Sequence, residues 1–429
     1  MEYRTVLGYP AYRNLWIATG IGSIGSRLFG FAFIWLVFEF TTSPTMLAVA
    51  LAVVALPEVF STVLGGIIAD RVNRIRVIIW SELLRAALLP LIPLLAIHDL
   101  RNIILVGILI GLVSTFEAPA RGAVVPNLVP DDELDEANGL LQLLMVTSYT
   151  LYIGAGWLVM QIGAPTVMLI SAIPSVLAVF VLLWIPSHLA EPEEMDDDEE
   201  SVIGIVLSDF RMVYDLVRSN GVLASLLVLQ IAHLFVIAPI GAIIMPVFAV
   251  QEFGGDSFVY GVLYGSFYAG MFFGAGVFGQ LTDEREVIHG HLVVWGTAIS
   301  GLFLTGMALA PALLPLPFTA AVVLHGLAGV ATFHAVVAVQ TLLQLIPSDT
   351  ERGKVFSMLT VISLVIAPLS YLTFGPVVTA LGPTIVLAAI GVASALVGLA
   401  MIVTPLYSAA VDDDPSLGGD SSESTVISI

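Results

Sequence analysis

Long uncharged apolar runs recur along the whole chain, and their length leaves few folds open. A bilayer core about 30 Å thick is crossed by about 20 residues of helix at ~1.5 Å rise each. Within lipid every backbone N–H and C=O has to be met inside the protein, so runs of this length are helices. The pattern predicts about twelve spans, over residues 12–40, 44–69, 75–96, 102–121, 138–161, 164–186, 221–250, 257–282, 287–310, 315–346, 354–380 and 383–407. Turn signals separate them: TTSP from Thr41, HDLR at 98 to 101, VPDDELDEAN at 129 to 138, and glycine–proline turns at 163 and 382. The expected fold class is an all-α membrane protein. Composition agrees, with 58% hydrophobic and 11% charged residues where soluble domains hold about 45–50% and about 25%.

The first apolar run is far longer than the core of a signal peptide and reads as a span. The absence of cysteine excludes disulfides, thiolate metal sites and cysteine nucleophiles. Lys and Arg in short loops set topology. With both termini cytoplasmic, Arg4, Arg13, Arg71, Arg74, Arg76, Arg121, Arg211, Arg218, Arg285, Arg352 and Lys354 lie inside and Arg101 outside, eleven against one. The expected location is the cell membrane.

The chain divides into four segments: a six-helix bundle over 1–190, a linker over 191–220, a second bundle over 221–407 and an acidic tail over 408–429. The linker opens with EPEEMDDDEE, too charged to pack on an apolar surface. After it, Ile203, Val206, Phe210, Val213 and Val217 recur at helical spacing opposite Asp209, Arg211, Asp215 and Arg218, as in a helix lying in the membrane interface. The tail is expected to be disordered. The two bundles are related: Gly66, Asp70 and Arg71 find counterparts in Gly279, Asp283 and Arg285, and Leu128-Val-Pro130 in Leu345-Ile-Pro347. Gly156 matches Gly375 and Pro165-Thr166 matches Pro383-Thr384, all at offsets of 213 to 219. Such pairs imply two parallel six-helix repeats.

GGIIADRVNRIRV at 65 to 77 resembles the signature loop of the major facilitator superfamily, with Asn73 where glycine is usual and Ile75 where a second base is usual. Asn tolerates a left-handed turn, so the first departure is mild. PARGAVVPNLVPDDELDEANGLLQL at 119 to 143 and SDFRMVYDLVRSNGVLASLLVL at 208 to 229 resemble the branch of siderophore exporters and macrolide efflux pumps. The resemblance implies an alternating-access transporter, often of proton-coupled efflux. It also implies a conformational latch of Gly66, Asp70, Arg71, Arg74, Glu117, Arg121, Gly279 and Asp283, with Arg74 meeting Glu117. Drug antiporters of the family often carry Gly-Pro in the fifth span; Gly154-Ala155-Gly156 lacks the proline.

An ionisable group in a span costs several kcal/mol and needs a partner or a task. At ~1.5 Å per residue, Arg27, Glu58, Arg85, His233 and His334 fall about 15–22 Å deep, with Glu82 somewhat lower. These are candidates for the substrate and coupling site, or for ion pairs that lock helices. Glu82 and Arg85, three apart, suit a local pair, as do Glu117 and Arg121, four apart. His325 and His334 face opposite sides of one helix and cannot share a metal; no metal site or cofactor is expected. Tyr149, Tyr152, Tyr264 and Tyr268 could line an amphiphile pocket or simply pack. GIGSIG at 20 to 25 and GAGVFG at 274 to 279 lack the strand a dinucleotide site needs and suit close helix packing.

The one lysine, Lys354, is followed by Val355, so no P-loop exists, and no Gly-x-Ser-x-Gly or zinc-protease pattern supports an enzyme. The expectation is a monomeric secondary transporter, moving a small amphiphilic or anionic compound outward against protons, with lipid as its surround and no nucleic acid partner. A proton-linked importer and a non-transporting sensor or scaffold are the alternatives. The signature loop generates the first prediction: Asp70→Asn lowers the transport rate in liposomes while expression and membrane insertion stay near wild type. A wild-type rate would refute the latch.

Overall fold

The computed structural model describes residues 3–96, 99–190, 202–282 and 289–408. The acidic run at 191–200, Asp283 and the tail lie outside them, as do the side chains of Glu58, Asp70 and Arg71 and the surroundings of Gly66 and Gly279. The described residues are helical, with no strand among them. Among the described residues, besides the linker helix Val202–Ser219, twelve long helices occur in order: α1 Pro10–Thr41, α2 Pro44–Arg71, α3 Arg74–Leu94, α4 Leu100–Asn127, α5 Asp131–Ile162 and α6 Ala164–Leu182, then α7 Gly221–Phe253, α8 Ser257–Thr282, α9 His289–Leu313, α10 Pro317–Leu345, α11 Asp349–Leu381 and α12 Pro383–Ala400. All but α2 are long and apolar enough over described residues alone to cross a membrane; α2 is apolar over Pro44–Pro57 and 28 residues long. Phe180, Leu183, Leu302 and Leu396 stand 60–63% exposed, as side chains facing lipid do.

Local chemistry sets the breaks. Asn220 caps α7 by accepting from the amides of Val222 and Leu223, both at 3.0 Å. Asn73, at φ −51°, caps α3, accepting from the Arg76 amide at 3.1 Å while its Nδ2 donates to the Ser187 carbonyl at 2.7 Å. Capping uses the side chain that glycine would lack. Gly163 and Gly382, both at φ 80°, turn the chain before Ala164-Pro165 and Pro383. There the left-handed backbone requires glycine, and the two repeats turn alike.

By packing, the chain gathers into two units. One takes in Met1–Asp196, Gly241–Gly265 and Tyr371–Ala380; the other takes in Asp197–Ile240, Ser266–Ser370 and Leu381–Ile429. Residues 241–265 and 371–380, which the sequence division places in the second bundle, thus pack with the first six spans. In the first unit Tyr12, Leu15, Ile78, Val124, Val125 and Leu182 form a buried core, tied by the Tyr12 hydroxyl to the Ala137 carbonyl at 2.7 Å. In the second, Val222, Leu223, Leu343, Val355 and Leu406 do so. Val213 of the linker helix Val202–Ser219 is buried in that core, so there the helix's apolar face is covered by protein.

Small residues bring backbones together. A β-carbon on Gly25 of α1 would lie 2.8 Å from the Ser171 carbonyl oxygen, which explains part of the GIGSIG run. Two crossings in the first unit are equivalent under the repeat. A β-carbon on Gly156 of α5 would stand 2.5 Å from the Ser257 carbonyl oxygen and 3.0 Å from Gly261 Cα of α8. Its counterpart Gly375 of α11 meets Ala48 and the Pro44 carbonyl oxygen of α2. Pro44 to Ser257 and Ala48 to Gly261 are both offsets of 213. Gly156→Val should therefore destabilise the fold by about 1–3 kcal/mol through overpacking, read as a lower thermal midpoint in detergent; an unchanged midpoint would show that the helices can separate freely.

Candidate functional site

A cluster of buried ion pairs lies inside the first unit, where α3 and α4 face each other. Arg85 pairs with Glu82 one turn back, and its Nη1 donates to Glu117 Oε2 at 3.1 Å. Glu117 Oε1 pairs in turn with Arg121. The Arg85 Nε donates to the Ser175 hydroxyl of α6 at 3.3 Å. Glu82, Arg85 and Glu117 are 2%, 5% and 7% exposed, so the four groups balance their charges where little water reaches. Gly22 of α1 makes the space, since a β-carbon there would stand 2.5 Å from Glu82 Oε1.

A second constellation is aromatic. Arg27 of α1 donates through Nε to the Ser148 hydroxyl at 2.9 Å, and its guanidinium carbon lies 3.4 Å from the ring centre of Tyr149, a cation–π contact. Tyr149 meets Tyr152 edge-on at 5.7 Å, and Tyr152 stacks on Tyr264 at 5.0 Å. Tyr264 leads to Tyr260 at 6.0 Å, and Tyr260 stacks on Phe31 at 4.6 Å and Trp35 at 6.0 Å. The Tyr260 hydroxyl donates to the Gly241 carbonyl at 3.0 Å, within a π-helical turn of α7 at Ile240–Ile244. Tyr152 and Tyr260 are buried, so they pack; Arg27, Tyr149 and Tyr264 remain half-buried.

Of the predicted site residues, the structure brings Arg27, Tyr149, Tyr152 and Tyr264 into one array and Glu82, Arg85, Glu117 and Arg121 into another. Arg74 does not meet Glu117. It donates to the Ala123 carbonyl at 3.0 Å and to Asn127 Oδ1 at 3.4 Å, because Arg85 and Arg121 already engage both oxygens of Glu117. His233, His334 and Tyr268 belong to the second unit. There His334 Nδ1 bonds to the Val330 carbonyl at 2.8 Å, and Tyr268 packs edge-on against Phe267 at 5.4 Å. Sequence reasoning missed Phe31, Trp35, Tyr260, Ser148 and Ser175. Spacing offered a signal for some of them: Arg27, Phe31 and Trp35 recur every four residues, as do Tyr260 and Tyr264.

Membrane-length helices with charges and aromatic groups sequestered among them define a polytopic helical membrane protein. Residues 15–370 match the Major Facilitator Superfamily, and the chain belongs to that family; it is a transporter, not an enzyme. Macrolide efflux protein A of Streptococcus pyogenes is 24% identical over 300 residues, covering 68% of this chain and 73% of that protein. An uncharacterized MFS-type transporter of Bacillus subtilis (strain 168), YvqJ, is 26% identical over 371 residues, 83% of each chain. Among solved structures, the nucleoside transporter NupG superposes with a TM-score of 0.70 at 13% identity over 91% of this chain and 99% of that one. A POT family transporter in complex with 5-aminolevulinic acid gives 0.71 at 13% identity, over 91% and 95%. At that identity the structures share the fold.

The charge quartet yields a direct prediction. Glu117→Gln leaves Arg85 and Arg121 facing one carboxylate in a buried setting, and breaking a buried pair from one side costs about 3–5 kcal/mol. The purified variant should melt well below wild type; equal midpoints would mean that water reaches the cluster.

Proposed function

We propose that the chain exports a small amphiphilic or anionic compound across the cell membrane by alternating access, driven by protons moving inward. The observation that carries this reading is the pair of repeat-equivalent crossings, Gly156 with Ser257 and Gly261, and Gly375 with Pro44 and Ala48. Contacts built on bare backbone separate and re-form without repacking large side chains, which suits a gate that opens once in each cycle. With both termini cytoplasmic, as the arginine distribution favours, these crossings lie toward the outer ends of their helices and act as the outer seal. Outward transport is favoured by the relatives named macrolide efflux protein A. The half-buried surface of Arg27, Tyr149 and Tyr264 suits a cargo with an apolar body and a negative or polar edge.

Acting as a gate is a property that cross-linking can test, and the cysteine-free chain offers a clean background. The hydroxyls of Thr45 on α2 and Thr379 on α11 lie 2.8 Å apart. Replacing both by cysteine should give an oxidised protein that no longer moves radiolabelled macrolide across liposomes under a proton gradient, with activity restored by reductant. Full activity of the verified disulfide form would show that this seam need not open.

A further inference from the structure

Proton-driven export, the function proposed for this chain, needs a group inside the protein that takes up and releases a proton, and the role assigned to that group rests on the export reading. The quartet holds two carboxylates in unlike states. Glu117 has both oxygens occupied, Oε2 by Arg85 at 3.1 Å and Oε1 by Arg121. Glu82 pairs with Arg85 through Oε1, while its Oε2 is buried with no hydrogen-bond partner. The residue is 2% exposed. Among the described side chains, around it stand Arg85 on its own helix, Glu117 and Arg121 from α4, the Ser175 hydroxyl of α6 and the bare backbone of Gly22 from α1. A buried acceptor left unmet is costly and calls for an explanation.

We propose that Glu82 is the proton-carrying carboxylate of the transport cycle. A proton arriving at Glu117 must displace a guanidinium, whereas Oε2 of Glu82 accepts one while Oε1 keeps its contact with Arg85, the pair losing its negative charge. Charge balance then supplies the coupling. With Glu82 ionised, two carboxylates offset Arg85 and Arg121 and the dry cluster is neutral. With Glu82 protonated, one guanidinium charge is in excess, which a dry interior strongly disfavours. The protonated form therefore favours a conformation that wets the cluster or presents an anion to it, and the ionised form favours the packed one. A difference in proton affinity between two conformations is what lets a gradient drive their exchange.

Infrared difference spectra of the full-length protein in liposomes, between acidic and alkaline buffer, test the assignment. A protonated-carboxyl band in wild type that is lost in Glu82→Gln is the expected result. An unchanged band in that variant, or no such band in wild type, overturns it. Because the variant leaves a guanidinium unmatched, a second measurement uses the native chain: a hydrophobic carbodiimide, which reacts with protonated carboxyls, should label Glu82 in acid and leave Glu117 unlabelled. Label on other carboxyls without Glu82 overturns the assignment equally. Erythromycin uptake under an imposed proton gradient keeps the two readings apart. If wild type fails to move that macrolide in response to the gradient while band and label behave as expected, proton-driven macrolide export fails and the proton site stands.

Discussion

Inside a bilayer a polar group has only the protein to bond to, and much of this chain's layout follows from that. Backbone groups meet the requirement through helices, and the helices' hydroxyl side chains meet it by turning back on their own carbonyls. Thr41 donates to Val37 at 2.9 Å, Ser114 to Ile110 at 2.9 Å and Thr341 to Val337 at 3.0 Å. Charged side chains are not satisfied by the carbonyls of their own helix and need opposite charges. Glu82, Arg85, Glu117 and Arg121 gather because each alone would cost several kcal/mol in a span, and gathering them fixes how α3, α4 and α6 approach. Ser175 and Gly22 complete the arrangement, one by supplying an acceptor for Arg85 and the other by supplying room.

Lipid also removes much of the hydrophobic drive between helices, so close approach has to come from van der Waals contact between small residues. Glycine serves that purpose in both units. In the second, Gly301 faces the Gly391 carbonyl oxygen at 2.5 Å and Gly398 faces the Ala298 amide nitrogen at 2.7 Å, as measured from an added β-carbon. The crossings at Gly156 and Gly375 use the same device. That the repeat places them at matching positions ties a sequence periodicity to a pair of contacts, one link from sequence directly to packing.

What was legible in the sequence was what one helix decides by itself. Span lengths, the glycine turns at Gly163 and Gly382, and the same-helix pairs Glu82–Arg85 and Glu117–Arg121 follow from spacing along a single axis. Pairing between helices was not legible. Arg85 and Glu117 stand 32 residues apart on neighbouring helices, and nothing in their spacing distinguishes that pair from Arg74 with Glu117. Packing chose the former, and Arg74 then turned to Ala123 and Asn127. The aromatic array joins residues of α1, α5 and α8, whose facing sides no single-helix pattern specifies. Asn73 shows a subtler limit, since both a left-handed turn and a helix cap suit Asn and only the backbone decides between them.

The two repeats offer an internal control on why the quartet exists. α9 and α10 are the counterparts of α3 and α4, yet residues 287–348 contain no Asp, Glu, Lys or Arg. Where α3 and α4 meet through ion pairs, α9 and α10 meet through Gly296 against the Ala331 carbonyl oxygen and through a hydroxyl bond of 2.7 Å between Ser300 and Thr332. The fold is therefore attainable without buried charge, as expected if well-packed small or apolar residues are often at least as stabilising as a desolvated ion pair. A cluster that the architecture does not require, that is costly to desolvate, and that leaves one carboxylate oxygen unmet is poorly explained as a device for stability.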